Sequence, residues 1–482
     1  MGEFKDALEG YMNSADALSR RNVHPRLQKM FEMGGMGARF DRGEGQYLWD
    51  TDGNRYLDFL AGGGVYLMGR NQPKITEALM DVLSMNLPNM TVVNASVLGG
   101  LLAGKLLEKA GGRFSKVVYA NSGSEATEVA LRFARQVTNR RRFLYMEGSF
   151  HGRSYGAISV CGWDEMRVGV SPAMPTCTPI VPGDIRQLRR ELKTGDVAAV
   201  IYEPLQGMTG ELIDVDYLRE AEALCQQYGT LLIADEVQAG LGRCGEWFLS
   251  PAWGVRPHIL TTSKALSGGQ VPVAAVLVDE GVYDNVYSGF SSGLMYFSTF
   301  AENNLAMAAG LATIELMEEL DVLQMAKDKG AYLRKGLEDI KDRYDCIDRL
   351  TGTGLMQAIY FKDSAKPSLA AQQKAMMAID KGAFAAAVNV DMFKRQKILI
   401  QIPGPGVNAV KILPPATCTQ EDLDYFLNSF EDTIAQFYSG KGPVVSLVGG
   451  VVENAAKSLG KFLPPALKPA DLEQKKTPSS VN

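Results

Sequence analysis

The chain has 482 residues, too many for one compact core, and predicts two or more domains. Hydrophobic residues make up 46% and charged residues 22%, as in an ordinary globular protein, and a net charge of −5 offers no basic footprint for nucleic acid. The six cysteines are scattered without CxxC pairs or metal-ligand spacing, and the three histidines are too few for a histidine-based metal centre, so neither a disulfide framework nor a metal is expected.

The first residues lack a basic stretch followed by an apolar run, so no signal peptide is expected. No apolar run approaches the ~20 residues of a membrane-spanning helix, and the expectation is a cytoplasmic protein. Residues 1–35 carry Leu8, Tyr11, Met12, Ala15 and Leu18 at helical spacing and predict a packing arm. Residues 45–60 read as a hairpin with Asp52-Gly53 at its turn. Together, residues 1–60 are expected to form an arm and hairpin packed on the smaller domain.

From about residue 75 to 310, short apolar strands alternate with longer helical stretches. The candidate strands are Lys116–Ala120, Phe143–Met146, Ala198–Tyr202, Thr230–Ala234, Ile259–Thr262 and Val273–Val278. This alternation predicts an α/β fold, with a large domain at 61–320 built on a mostly parallel central sheet flanked by helices. Ligands on such sheets sit at the carboxyl ends of the strands. Residues 321–440 predict a smaller α+β domain, with a charged helix near 323–344, strands at Leu355–Phe361, Ile398–Ile402 and Val410–Leu413, and a helix near 420–438. In the tail, 441–482, apolar residues from Val444 to Phe462 recur every one, three or four positions and predict an amphipathic helix before a disordered end.

Two strand ends carry the strongest chemical signal. The stretch Leu231-Leu-Ile-Ala-Asp235-Glu236-Val-Gln238 ends a buried strand in two carboxylates. The stretch Ile259-Leu-Thr-Thr-Ser-Lys264-Ala-Leu-Ser-Gly-Gly269 ends another in a lone lysine and a glycine turn. Pyridoxal phosphate (PLP) chemistry needs such a pair: the lysine amine forms a Schiff base with the aldehyde, and the aspartate keeps the pyridine nitrogen protonated so that the ring can absorb a carbanion's electrons. Taken singly, Lys264 reads more readily as a solvated surface residue and Asp235 as a helix cap.

Other strand ends add to the pair. Asn121-Ser-Gly123-Ser124-Glu125 opens a helix, where Gly123 admits a close approach and the first-turn amides and Ser124 hydroxyl can hold a phosphate. Plain capping of that helix explains the same residues. Phe150-His151-Gly152-Arg153 offers a flat aromatic that can stack on a planar ring, or an ordinary core aromatic. Glu203-Pro204-Leu-Gln206-Gly207 offers a carboxylate for a substrate or an active-site cation, or a loop glutamate stiffened by proline.

In order, Asn-Ser-Gly-Ser-Glu-Ala, Phe-His-Gly-Arg, Glu-Pro-x-Gln-Gly, Ala-Asp-Glu-Val-Gln-x-Gly-x-Gly-Arg, Ser-Lys-Ala-Leu and Ser-Thr-Phe resemble the class III aminotransferases over about residues 35–435. These are the ornithine/4-aminobutyrate/putrescine-type branch of the fold-type-I PLP enzymes. The resemblance implies transamination between an amine donor and an oxo acid or aldehyde acceptor. It implies that Lys264 binds PLP and shuttles the proton, that Asp235 pairs with the pyridinium nitrogen and that Gln238 lies near the ring O3′. It places Phe150 on the ring, His151 beside it, and Gly123 and Ser124 at the phosphate. Thr299 would reach the phosphate of a neighbouring subunit, which implies a homodimer with shared active sites. The same scaffold also hosts decarboxylases, racemases and aminomutases, because a fold does not fix a reaction.

Two departures from the family stand out. Many members carry an arginine before the C-terminal Pro-Pro that grips the substrate α-carboxylate and can pair with the glutamate of Glu-Pro-x-Gln-Gly. Here Lys411 takes its place, and Glu203 and Lys411 are the candidate substrate residues. Lysine lacks the planar fork of arginine, which weakens two-point carboxylate recognition. The family's His-Gly before Ser-Thr-Phe is Tyr296-Phe297, and its Gly-Gly-Asn-Pro is Ala301-Glu302-Asn303-Asn304. The expectation is a bulkier, less basic substrate mouth and a donor that is a terminal amine or omega-amino compound, although Lys411 could equally do the arginine's work.

Overall fold

The computed structural model describes residues 2–440, apart from 24, 34, 91–94, 171–173, 175, 290, 291, 294, 295 and 379. The chain divides into two units, residues 39–441 and a second drawn from the two chain ends. In the latter, the expected helical arm forms two helices, Gly2–Asn22 and Pro25–Met33. The helix expected at 444–462 lies outside the described residues.

The larger unit contains fourteen strands among the described residues. They are β1 (Phe40–Glu44), β2 (Tyr47–Asp50), β3 (Arg55–Asp58), β4 (Phe114–Ala120), β5 (Arg142–Met146), β6 (Cys177–Ile180), β7 (Val197–Tyr202), β8 (Leu231–Asp235), β9 (Ile259–Thr262), β10 (Ala274–Asp279), β11 (Ile347–Thr353), β12 (Met356–Phe361), β13 (Ile398–Leu399) and β14 (Ala409–Ile412). The central sheet runs in the order β4-β10-β9-β8-β7-β5-β6. Strand β10 is antiparallel to both β4 and β9, and the remaining pairs are parallel. Six of its seven strands therefore point one way and bring their carboxyl ends to one edge.

All residues of β7 and β8 are buried, as expected of parallel strands covered on both faces. The Gly123–Thr138 helix lays Ala126, Val129, Ala130, Phe133 and Ala134 against this core. The expected hairpin forms as β2 and β3, and it extends to a four-stranded sheet, β1-β2-β3-β13. A third sheet, β11-β12-β14, lies in the 321–440 segment with the helices Val322–Arg343 and Gln420–Tyr438.

The sequence reading missed β1, β6 and β11 and overextended β13. Strand β6 is an edge strand paired only with β5, and its Cys-Thr-Pro-Ile sequence is only partly buried. Pro179 costs little at such an edge, where one row of amides needs no partner. In β13 only Ile398 and Leu399 pair with β3, and the following Gln401 turns instead to an isolated bridge with Lys411.

Arg243 binds three segments together from a position of 0% exposure. Its Nη1 donates to Pro414 O at 2.5 Å and Leu355 O at 3.3 Å, and its Nη2 donates to Gly64 O at 3.3 Å. These acceptors are carbonyl dipoles, and burial lowers the guanidinium pKa to about 10. Replacing Arg243 with Ala strips three buried carbonyls of a donor and leaves a cavity, so it should cost about 3 kcal/mol or more. A clear drop in thermal unfolding temperature relative to wild type is the expected result; an unchanged midpoint would show that the three segments hold together without it.

Candidate active site

The cleft at the carboxyl edge of the central sheet has a volume of about 620 Å³. Gly123, Ser124, Phe150, His151, Glu203, Asp235, Gln238 and Lys264 all line it. Eight of the ten residues singled out from sequence thus meet in one place, although they come from five separate strand ends.

The two carboxylates that end β8 face different ways because neighbouring side chains on a strand alternate. Asp235 turns to the cleft side, where its Oδ2 lies 2.7 Å from His151 Nδ1 and its Oδ1 accepts the Val237 amide at 3.0 Å. Glu236 turns inward and accepts the Leu249 and Ser250 amides, each at 2.7 Å, at the start of a short helix. An ionised Asp235 is an acceptor only, which sets the His151 Nδ1 proton between them. His151 Nε2 is buried without a hydrogen-bond partner.

Lys264 follows β9 with a positive φ of 24°, a region that side-chain-bearing residues rarely adopt and that costs about 1–3 kcal/mol. A short turn over Lys264–Ser267, closed by the left-handed Gly268, holds it there, and Ser263 Oγ donates to Val273 O at 2.7 Å. The side chain is only partly open, toward the cleft. Burial lowers the Lys264 amine pKa, while the charges of Asp235 and Glu203 pull it back up.

Glu203 sits directly after β7, 5% exposed. Its Oε1 accepts the Phe150 amide at 2.8 Å and its Oε2 the Gly207 amide at 2.7 Å. Burial pushes the Glu203 carboxyl up to about 7; the nearby charge of His151 opposes this, and that of Asp235 adds to it.

At the other end of the cleft, the Gly123–Thr138 helix starts with Ser122 as its cap, the Ser122 Oγ accepting the Glu125 amide. The Ser124 hydroxyl accepts the Arg153 amide at 3.1 Å. A Cβ on Gly123 would stand 2.9 Å from Val237 Cγ1, and one on Gly152 only 2.3 Å from Ser124 Oγ, so neither position around this helix end has room for a side chain. An anionic group fits there, a flat ring fits beside the half-buried Phe150, and a protonated ring nitrogen fits against Asp235. The residues present therefore suit PLP.

Two expected site residues are placed elsewhere. Thr299 is exposed and lines a different cleft with Tyr119, Tyr296 and Phe297. Lys411, on β14, is fully buried and does not line the Lys264 cleft. Its Nζ donates to Gly207 O and, at 2.9 Å, to Gln238 Oε1. Burial, reinforced by the charge of Lys264, lowers its amine pKa to about 7. The sequence reading also passed over Arg153, an exposed cation that lines the cleft. It is quoted in the Phe-His-Gly-Arg motif, and its position two residues after His151 was the available signal.

Residues 33–434 match the family model described as aminotransferase class-III. A putrescine aminotransferase of Pectobacterium atrosepticum is 34% identical over 397 residues, covering 80% of each chain. The aminotransferase PigE of a Serratia species is 28% identical over 86% of this chain and 53% of its own length, so the chain spans about half of that relative. Among solved structures, an amine transaminase from an uncultivated Pseudomonas species, in its PLP-bound form, superposes with a TM-score of 0.72 at 27% identity. That match covers 83% of this chain and 95% of the other.

Burial lifts Glu236 to about 7, as it does Glu203. A carboxyl whose pKa is raised in the folded state binds more protons there than in the unfolded chain, so stability falls as pH rises from about 4.5 toward 7. Replacing Glu236 with Gln should flatten that fall. Melting temperatures of wild type and variant at pH 5 and pH 7.5 measure it, and parallel curves would show that Glu236 does not titrate in this window.

Proposed function

Because the chain belongs to the class-III aminotransferases, we propose that Lys264, Asp235 and Gln238 form the working centre of its PLP-dependent transamination. PLP, when bound, supplies an electron sink for the negative charge left on the substrate carbon. The reading rests on one observation: Lys264 and Asp235 end the adjacent strands β9 and β8 and face the same cleft.

Each remaining residue has a task that its surroundings support. Lys264 Nζ, its pKa depressed by burial, would take up the proton of the substrate Cα and carry it within the cleft. Asp235, steadied by His151, would accept the hydrogen bond of a protonated ring nitrogen. Phe150 would cover the ring, and Gly123 and Ser124 would receive the phosphate at the positive end of their helix. Glu203, fixed by two backbone amides, borders the substrate space.

The donor we propose is a terminal amine or omega-amino compound, and the acceptor is an oxo acid or aldehyde. The putrescine aminotransferase relative acts on a terminal amine, as its name states. Lys411 has no opening to the cleft, which speaks against a demand for a carboxylate beside the reacting carbon. Arg153, exposed at the rim with its guanidinium 6.0 Å from the Phe150 ring centroid, is placed to meet an anionic acceptor. Thr299 lies outside its own chain's cleft, which fits a homodimer in which it serves the neighbouring site. Among the described residues no helix is long and apolar enough to cross a membrane, and the free cysteines, mostly buried, suit the reducing cytoplasm.

Visible spectroscopy tests the centre. The protein with PLP should show an absorbance band that terminal amines bleach, and Lys264→Ala should lose the band and at least ~10³-fold in turnover. A band that survives in the Lys264 variant would sink the assignment. Light scattering should give twice the chain mass, and Thr299→Ala should keep that mass while weakening PLP binding about fivefold through a lost phosphate contact. Unchanged PLP affinity in the Thr299 variant would remove it from the site.

A further inference from the structure

We infer that Lys411 is a positioning residue that fixes the orientation of the Gln238 amide, and that it is not a grip for a substrate carboxylate. This rests on the proposal that Gln238 faces the cofactor in the Lys264 cleft.

The argument begins with the backbone. Lys411 is pinned in β14 between β12 and the isolated bridge to Gln401, exchanging two amide bonds with Gln401 at 2.8 and 2.7 Å. Its side chain reaches Gly207 O and Gln238 Oε1. Gly207 and Gln238 both line the cleft while Lys411 does not, so they stand between its amine and any substrate.

An ammonium group donates and cannot accept. With Lys411 Nζ donating to Gln238 Oε1 and Gly63 O able only to accept, the Gln238 side chain presents its carbonyl to Lys411 and its NH2 the other way. The NH2 group donates one proton to Gly63 O at 2.6 Å. Its second N–H is left to the cleft that Gln238 lines, where it can bond an anionic oxygen on the ring. The arrangement has no slack: a Cβ on Gly207 would stand 2.9 Å from both Gln238 Oε1 and Glu203 Oε2. Lys411 thereby sets a donor in the site without entering it, and exerts no preference between amines with and without an adjacent carboxylate.

Full-length protein stripped of cofactor and titrated with PLP provides the test, with steady-state kinetics on a terminal amine and an oxo acid. Lys411→Met should raise the PLP concentration for half-saturation about tenfold, the scale of one hydrogen bond to a charged group. Combining it with Gln238→Ala should be no worse than Gln238→Ala alone, because both break one unit. Lys411→Gln, whose amide can still donate to Gln238, should recover most of the loss.

Three results would overturn the inference. One is a Lys411→Met protein whose PLP half-saturation stays within about twofold of wild type while its oxo-acid KM rises about tenfold or more, the mark of a lost ground-state carboxylate contact. Another is full additivity with Gln238→Ala. If Lys411→Met is insoluble, Lys411→Gln decides: weakened PLP uptake no more than about twofold with an unchanged oxo-acid KM supports positioning, and an oxo-acid KM raised about tenfold overturns it. A wild-type protein that takes up no PLP would instead remove the proposed function, and this inference with it.

Discussion

Common strand direction is the constraint on which the site depends. Strands β4, β5, β7, β8 and β9 run the same way, so the residues just past their ends share one edge of the sheet. Reversal of β10 is what makes this possible at the β4 side, since two antiparallel pairings restore the original direction. The helix that opens at Gly123 therefore meets the same cleft as Lys264, although β10 separates β4 from β9 in the sheet. Moving a catalytic residue would require moving a strand whose every side chain is buried, and that rigidity keeps a constellation of short side chains in register.

A second constraint shapes the layer beneath the cleft. Charges there are satisfied chiefly by the backbone. Glu203 and Glu236 each hold two amides, and Arg243 holds three carbonyls. Backbone dipoles fixed by folding cannot swing away, so they hold a charged group in one place without neutralising it. The field at Lys264 is thus set by Asp235, bonded to His151, and by Glu203, whose carboxyl burial lifts to about 7. Asp235 and Glu203 favour its charged form and desolvation favours the neutral one. A lysine poised between these influences can both carry and release a proton.

Much of this was legible in the sequence, and the reasons differ by residue. Buried parallel strands such as β7 and β8 are near-continuous apolar runs with glycine or charged residues at their ends, a pattern few other segments imitate. The motif order Gly123, Phe150, Glu203, Asp235, Lys264 reports a tertiary site because each lies at or just past the end of a strand. The edge strand β6 gave no such signal: it carries Pro179 and half-exposed residues, and reads as loop. Nor could spacing show that Lys411 faces away from the cleft. On β14 alternate residues point to opposite sides, but which side meets the cleft depends on β12 and Gln401, far away in the chain.

The substitution of lysine for arginine at position 411 takes on a different meaning once its surroundings are known. Arginine's planar fork suits a carboxylate that must be held at two points and in one plane. The acceptors here are a carbonyl of Gly207 and a carbonyl of Gln238, two single points in different directions. A compact ammonium with three tetrahedral donors serves such a pair, and its unbranched stem fits a strand that is buried at every residue. On the inference drawn above, cationic charge placed toward substrate in many members is here drawn back one layer, to Gly207 O and Gln238 Oε1. Among the side chains lining the cleft, that leaves Arg153 and Lys264 as the cations a substrate can meet directly. On the proposed reading, selectivity shifts from the reacting end of the substrate to the rim.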